Sequence, residues 1–132
     1  GIACQLIEQN LDGYIQHMGQ MRDRLEAGLR REIPGVRVNG HPEKRLPNTS
    51  SVSFKDQEAN TILDKLQSVA ASAGAACHAD RIDVSAVLKA MNLPIEYAMG
   101  TIRLSVGRHT TEDEIDRAVQ EIADVIRVQS HV

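Results

Sequence analysis

The first thirty residues carry apolar side chains at helical spacing. This pattern predicts one long amphipathic helix over residues 3–32, within a leading segment 1–32 that Pro34-Gly35 closes. The apolar positions that repeat at three-, four- and seven-residue intervals are Ile15, Met18, Leu25 and Leu29. Three glycines weaken the helical pattern and predict bends: Gly13, Gly19 and Gly28.

The middle of the chain mixes strand and helix patterns. Apolar alternation and β-branched residues predict strands over residues 36–38, 49–54 and 101–106. Helical spacing predicts helices over residues 57–71 and 84–91. Between them, small residues followed by polar ones predict a loop over residues 72–83.

The last helix has the clearest pattern. Thr111 and Glu114 form a capping box, T-x-x-E, at its start. One apolar face follows, made of Ile115, Ala118, Val119, Ile122, Val125 and Ile126. The order of elements predicts a two-layer α+β domain, with helices packed on one face of a small, mainly antiparallel sheet.

Composition narrows the class of protein. A length of 132 residues suits one domain, and with one Phe, two Tyr and no Trp the core must be aliphatic. A net charge of -3 and few aromatic residues argue against a nucleic-acid partner. We expect no membrane span, because no apolar run approaches the required length of roughly 20 residues. Two cysteines make no disulfide framework, so we expect free thiols and a cytoplasmic location.

Cys77 is the first candidate for chemistry. The preceding residues, SAGAA, have no bulky side chain to cover the sulfur, and His78 and Arg81 are nearby positive groups that would favour the thiolate. A cysteine among small residues is also a common inert, buried thiol. Metal binding has weaker support, because no CxxC, HxxxH or second ligand cluster accompanies Cys77-His78. We therefore predict no metal site.

Arg103 is the second candidate, because it interrupts an apolar strand between Ile102 and Leu104. An arginine in mid-strand ordinarily points to solvent from an open sheet face. The functional alternative is a guanidinium held on a rigid strand to bind a carboxylate through two parallel hydrogen bonds. Arg108, just past Gly107, offers the same group on a turn.

Several motifs in the correct order resemble the C-terminal domain of the NifS-type cysteine desulfurases. The stretches that carry the resemblance are SAGAACHAD, Ser85-Ala86-Val87-Leu88 and AMGTIRLSVGRHTTEDEID. Family members typically read S-x-G-x-A-C, then S-x-V-L, then I-R-x-S-x-G-R-x-T-T-x-x-E-I-D. Upstream, RDRLEAGL, IPGVRVNGHPEKRLPN and VSF are similar in order and spacing, so the resemblance covers nearly all of residues 1–132.

The resemblance implies a pyridoxal-phosphate enzyme, usually a homodimer, whose large domain lies outside this chain. In that family a lysine of the large domain holds the cofactor, and the substrate carboxylate pairs with the strand arginine, here Arg103. The loop cysteine, here Cys77, takes sulfur from L-cysteine or handles selenium from L-selenocysteine, which leaves L-alanine. A protein that accepts the sulfur or selenium is a further possible partner.

Two departures from the family pattern qualify these expectations. The residue after the cysteine is usually Thr or Ser, whereas His78 stands here, and GAACH with Asp80 and IRLSVGR looks closer to selenocysteine lyase. His78 either tunes the thiol or is an exposed histidine without a role. No lysine of this chain lies in an S-x-H-K context, so we predict no cofactor-binding residue and no turnover by the chain alone. The alternative is a stand-alone α+β binding or sulfur-acceptor module.

Overall fold

A computed structural model describes residues 1–78 and 81–129, with side chains described outside residues 75–83. The helices are α1 (Ile2–Glu32), α2 (Ala59–Lys65), α3 (Ala86–Ala90), α4 (Ile95–Ala98) and α5 (Glu112–Gln129). The strands are β1 (Arg37–Val38), β2 (Thr49–Ser53), β3 (Ser72–Ala73), β4 (Ala75–His78), β5 (Arg81–Val84) and β6 (Thr101–Ser105).

Four of the strands form one sheet in the order β1-β2-β6-β3, and each neighbouring pair is antiparallel. Strand β6 is central, with Val52 of β2 opposite Ile102 on one side and Ala73 of β3 opposite the same residue on the other. Strands β4 and β5 form a separate antiparallel hairpin. The predicted α+β class with a small antiparallel sheet is confirmed.

The main core lies between one face of the sheet and the helices. Along β6, the alternate residues Ile102 and Leu104 are buried in this core, together with Val106 just beyond the strand. Helix α5 contributes the apolar face predicted from its sequence, and four of those residues are buried: Ile115, Val119, Ile122 and Ile126. Burying one such aliphatic side chain stabilises the fold by about 1.5–3 kcal/mol. The other face of the sheet is called the second face below.

Only the C-terminal half of α1 joins this core. Leu25 and Leu29 are 3% and 0% exposed, as their spacing predicted. Ile15 continues the same apolar pattern but is 43% exposed. Helical periodicity identifies a face, but it does not show how far along the helix the rest of the domain extends.

Helix α2 is shorter than the predicted span of 57–71, because the chain leaves the helix at Leu66 with an extended backbone. The Glu121 carboxylate of α5 accepts the backbone N–H groups of Gln67 and Ser68 and the Ser68 hydroxyl. These hydrogen bonds, led by that from the Ser68 hydroxyl, hold the pKa of Glu121 below its ordinary value. The end of α2 at Leu66 is thus accompanied by hydrogen bonds from the backbone N–H groups of Gln67 and Ser68 to Glu121 of α5.

A buried acid in α1 holds the segment that leads into β2. Glu26 is 5% exposed, and its carboxylate accepts hydrogen bonds from Arg45 at 2.5 Å and from the Ser50 hydroxyl at 2.6 Å. Arg45 also donates to the backbone carbonyl of Thr49. The first helix is therefore tied to β2 by polar bonds as well as by apolar contact.

Candidate functional site

Arg103 projects from the central strand onto the second face of the sheet. Its neighbours in β6, Ile102 and Leu104, point into the core, so strand alternation places Arg103 on the opposite side, where it is exposed. Ser51 of β2 and Ser72 of β3 stand directly across from it. The Arg103 Nη2 group donates to the Ser72 hydroxyl at 3.5 Å.

The surroundings of Arg103 contain small polar and apolar groups. A cavity of about 200 Å³ borders it, lined by Ala70, Ala71, Ser72, Arg103 and Ser105. Among the residues whose side chains are described, no carboxylate forms an ion pair with Arg103, in contrast to Arg24 and Arg45. A guanidinium on a rigid strand, beside a cavity and without an internal acid, is suited to bind an external carboxylate.

Cys77 and His78 lie in strand β4 rather than in an irregular loop. Their backbone partners in β5 are Ile82 for Cys77 and Arg81 for His78. The structure therefore corrects the predicted loop over 72–83: β3, β4 and β5 occupy most of it. The side chains of Cys77 and His78 lie outside the described part, so the proposed roles of both residues stay predictions.

The hairpin that carries Cys77 is attached to the sheet at Gly74. The Gly74 N–H donates to the Thr101 carbonyl at 2.7 Å, and its own carbonyl accepts from the Ser85 N–H at 3.2 Å. A Cβ atom at this position would lie 2.8 Å from Thr101 Cγ2 and 3.1 Å from a Leu88 methyl group. Glycine is therefore required for the close approach of the hairpin base to β6. Strand β3, next to Arg103, thus leads directly into the strand with Cys77.

A buried chain of hydrogen bonds lies beside Arg103 on the second face. The Asn39 side-chain amide donates to the Ser53 hydroxyl at 2.7 Å, and Ser53 is bonded to the Thr101 hydroxyl at 2.7 Å. Thr101 donates to the Tyr97 carbonyl at 3.0 Å. Asn39-Gly40 is a turn dipeptide in the sequence, and Gly40 has a positive φ of 93°. Three small polar residues in strand contexts give no sequence signal for such a chain.

Arg108, the alternative carboxylate binder, is engaged elsewhere. Its guanidinium lies 5.6 Å from the centre of the Tyr14 ring of α1 and donates to His109 at 3.0 Å. It follows β6 in the turn before α5, whereas Arg103 lies in mid-strand with β2 on one side and β3 on the other. The structure therefore favours Arg103 as the group available for a ligand.

All four lysines are on the exposed surface: Lys44, Lys55, Lys65 and Lys89. Within the described ranges, no group of three or more His, Cys, Asp or Glu residues has metal-binding geometry. No helix in those ranges is long and apolar enough to cross a membrane.

Comparisons with known proteins agree with this architecture. A NifS-like protein of known structure matches 93% of this chain with a TM-score of 0.78 and 27% identity, and 31% of that protein is covered. The NifS-like protein from Rickettsia africae ESF-5 matches 96% of the chain with a TM-score of 0.81, and 33% of it is covered. Its identity is 22%, so that match concerns the fold alone. The α+β domain is thus the fold of part of the NifS-like proteins.

Sequence comparisons assign the family. The family model for aminotransferase class-V matches residues 2–118, and the chain therefore belongs to that family. Cysteine desulfurase NifS of Azotobacter vinelandii is 38% identical over 128 residues, which are 96% of this chain and 32% of the relative. A cysteine desulfurase of Klebsiella pneumoniae is 41% identical over the same shares. The resemblance to NifS-type cysteine desulfurases is confirmed, and the chain spans about a third of the length of these relatives.

Proposed function

We propose that this chain is the C-terminal small domain of a pyridoxal-phosphate enzyme that removes sulfur from L-cysteine to give L-alanine. The observation that carries the proposal is Arg103, an exposed guanidinium without an internal acid among the described side chains, beside the strand that leads to Cys77. The names of the relatives, cysteine desulfurases, support the same reaction.

Arg103 would bind the substrate carboxylate. Two parallel N–H groups of a guanidinium match the two oxygens of a carboxylate. Because β6 pairs with a strand on each side, the backbone position of Arg103 is fixed. The binding fixes the orientation of the amino acid, so that its sulfur is presented to Cys77. Arg103 is thus proposed as a binding residue and not as a proton donor.

Cys77 would carry the sulfur-transfer step. Its thiolate attacks the substrate sulfur, so that a new S–S bond forms and the C–S bond of the substrate breaks. The former substrate sulfur remains on Cys77 as a persulfide, while the substrate carbon takes the electron pair and a proton and becomes the methyl group of L-alanine. An acceptor protein would then collect the sulfur.

The cofactor would be held by residues outside this chain. Pyridoxal phosphate supplies an electron sink, which would stabilise the negative charge that develops on the substrate carbon during the reaction. None of the four lysines of this chain lies in an S-x-H-K context, which is the cofactor motif of the family. We therefore expect the chain alone to release no alanine, and the complete enzyme to be a cytoplasmic homodimer.

His78 favours selenocysteine as a second candidate substrate. It replaces the Thr or Ser usual after the cysteine in the NifS-type desulfurases, and its backbone pairs with Arg81 at the end of the hairpin. A histidine next to Cys77 in the sequence would tune the thiol or the leaving group. Substitution His78→Thr should then lower the ratio of selenocysteine to cysteine turnover. An unchanged ratio would remove this second candidate.

The main proposal is tested by two substitutions in the complete enzyme, with alanine release from both substrates as the measurement. Arg103→Lys keeps the charge but loses one of two charge-assisted hydrogen bonds of about 1.5–3 kcal/mol each, so kcat/KM should fall roughly ten- to a hundredfold. Cys77→Ala should abolish sulfur transfer while substrate binding persists. Arg117→Lys, on the exposed side of α5, is the matched control.

Three outcomes would contradict parts of the proposal. If the complete enzyme with pyridoxal phosphate releases no alanine from either substrate, the reaction is wrong. If Arg103→Lys is kinetically silent, the carboxylate assignment is wrong and Arg108 becomes the next candidate. If the isolated chain itself forms a borohydride-fixable adduct with pyridoxal phosphate and releases alanine, the proposed division between the two domains is wrong.

A further inference from the structure

Four polar side chains form a row across the second face of the sheet, with Arg103 inside it. Ser51 and Ser72 face Arg103 from the two neighbouring strands. Asn39, directly after β1, extends the row, because its N–H donates to the Ser51 carbonyl at 2.8 Å. Each strand or strand end contributes one residue to the row, so the row runs perpendicular to the strands.

The two serines beside Arg103 have different partners. The Ser51 hydroxyl accepts from the Asn39 side-chain amide at 3.3 Å. The Ser72 hydroxyl accepts from Arg103 Nη2 at 3.5 Å. Among the described side chains, Ser72 is therefore the one hydroxyl that holds the guanidinium. A single bond to one terminal nitrogen limits the rotation of the group and leaves N–H groups free for a ligand.

The backbone holds Ser72 in place. Strand β3 pairs with β6 at Ser72 and at Ala73, and the Gly74 N–H bonds to the Thr101 carbonyl at 2.7 Å directly afterwards. The serine hydroxyl has three staggered positions on this fixed backbone, and the one adopted here bonds to Arg103. The strand pairing thus keeps this acceptor within reach of the longer arginine side chain.

We infer that Ser72 is a positioning residue, which holds Arg103 in the orientation that binds the carboxylate of an amino-acid substrate. The inference rests on the proposed function, because it takes Arg103 as the carboxylate-binding group. Loss of the Ser72 hydroxyl releases the guanidinium into several rotamers, and carboxylate binding must then restore the order. The effect should therefore appear in substrate affinity and much less in the chemical step.

The test uses Ser72→Ala in the complete enzyme with pyridoxal phosphate. The first measurement is the Kd of L-alanine by calorimetry, which needs no turnover, and the second is KM against kcat for L-cysteine. The bond is long at 3.5 Å, so its loss corresponds to the lower part of the usual range, roughly a threefold change. Kd and KM should both rise by about that factor while kcat stays within twofold. Ser72→Thr, which keeps the hydroxyl and suits a strand, should restore both values.

Ser51→Ala is the matched control, because Ser51 also faces Arg103 but bonds to Asn39. It should leave Kd and KM within twofold. Unchanged values for Ser72→Ala, equal losses in both alanine variants, or failure of Ser72→Thr to rescue would each overturn the inference. If L-alanine binds as described but cysteine yields no product, the positioning role stands and the proposed reaction fails. If the wild-type enzyme does not bind L-alanine, both fail.

Discussion

Gly28 of α1 lies so close to Val119 of α5 that a Cβ atom on the glycine would come within 2.7 Å of Val119 Cγ2. The sequence suggested a bend at this glycine, but α1 runs from Ile2 to Glu32 as one helix. The absence of a side chain at Gly28 serves the close packing of the two long helices. This contact matters for the site, because α1 and α5 cover the core face of the strand that carries Arg103.

Gly28→Ala should therefore destabilise the domain even though alanine is the better helix former. The gain in helix propensity is about 0.5–1 kcal/mol, whereas overpacking a core contact costs about 1–3 kcal/mol. We expect a lower free energy of unfolding in urea. Gly13→Ala is the control, since a Cβ at Gly13 has no atom within 4 Å, and it should stabilise.

The double substitution Gly28→Ala/Val119→Ala separates the two effects. Val119→Ala removes the methyl groups that a Cβ at Gly28 would meet, so Gly28→Ala should be neutral or stabilising in that background. If Gly28→Ala destabilises equally with and without the Val119 side chain, the proposed contact does not limit the packing.

Local patterns predicted the elements better than the contacts between them. The apolar face of α5 and the alternation around Arg103 were visible in the sequence, because each depends on residues a few positions apart. The pairing of Ser72 with Arg103 joins positions 31 residues apart, and no local pattern specifies such a register. The same holds for the hairpin with Cys77, whose small residues resembled a loop.

The helical pattern also gave no indication that Glu26 is buried, because a charged residue in an amphipathic helix is ordinarily expected on the exposed side. It is buried because Arg45 and Ser50 bond to its carboxylate. Both partners come from a distant segment, and only the folded chain shows that they compensate the buried charge. The helical pattern by itself could not have predicted this bond.

Glu26→Ala should be among the most destabilising single substitutions in α1. It leaves Arg45, whose side chain is 13% exposed, and the fully buried Ser50 without their acceptor. Removing one partner of a buried ion pair costs about 3–5 kcal/mol. The control is Asp116→Ala, which breaks the exposed pair with Arg24 and should cost far less stability. Urea unfolding of both variants provides the comparison, and equal losses would contradict the assigned role of Glu26.

Glu121 should make the domain sensitive to acid. Its hydrogen bonds from Ser68 and Gln67 lower the pKa in the folded state relative to the unfolded state. A lowered pKa contributes stability that is complete above the unfolded-state pKa, about 4.3 for a glutamate, and is lost as the pH falls through the lower folded-state value. The stability advantage of the wild type over Glu121→Gln should therefore shrink between pH 6 and pH 3.

The measurement is the free energy of unfolding of both proteins across that pH range. Asp116 and Glu114 also have lowered pKa values, because Arg24 bonds to Asp116 and Thr111 bonds to Glu114. Both proteins keep these groups, so their contribution cancels in the difference. A difference that is constant or grows with acidity would show that the Glu121 carboxylate is not stabilised by its bonds to the start of the segment after α2.

The two cysteines should differ in reactivity. Cys4 lies exposed near the start of α1, whereas Cys77 lies in a hairpin whose next residue pair is His78 with Arg81. The small residues before Cys77 and the polar ones after it predict a thiol that is open to reagents. We expect Cys77 to react with iodoacetamide faster than Cys4.

Two single-thiol variants, Cys4→Ser and Cys77→Ser, allow each rate to be measured separately at pH 7 by mass spectrometry. The difference between the two rates should disappear in concentrated urea, where the hairpin is lost. A slower Cys77 in the native protein would contradict the sulfur-transfer role, since a thiol that small reagents cannot reach is poorly placed to attack a substrate. Replacing His78 with Thr in the Cys4→Ser protein then tests how much of the rate depends on the histidine.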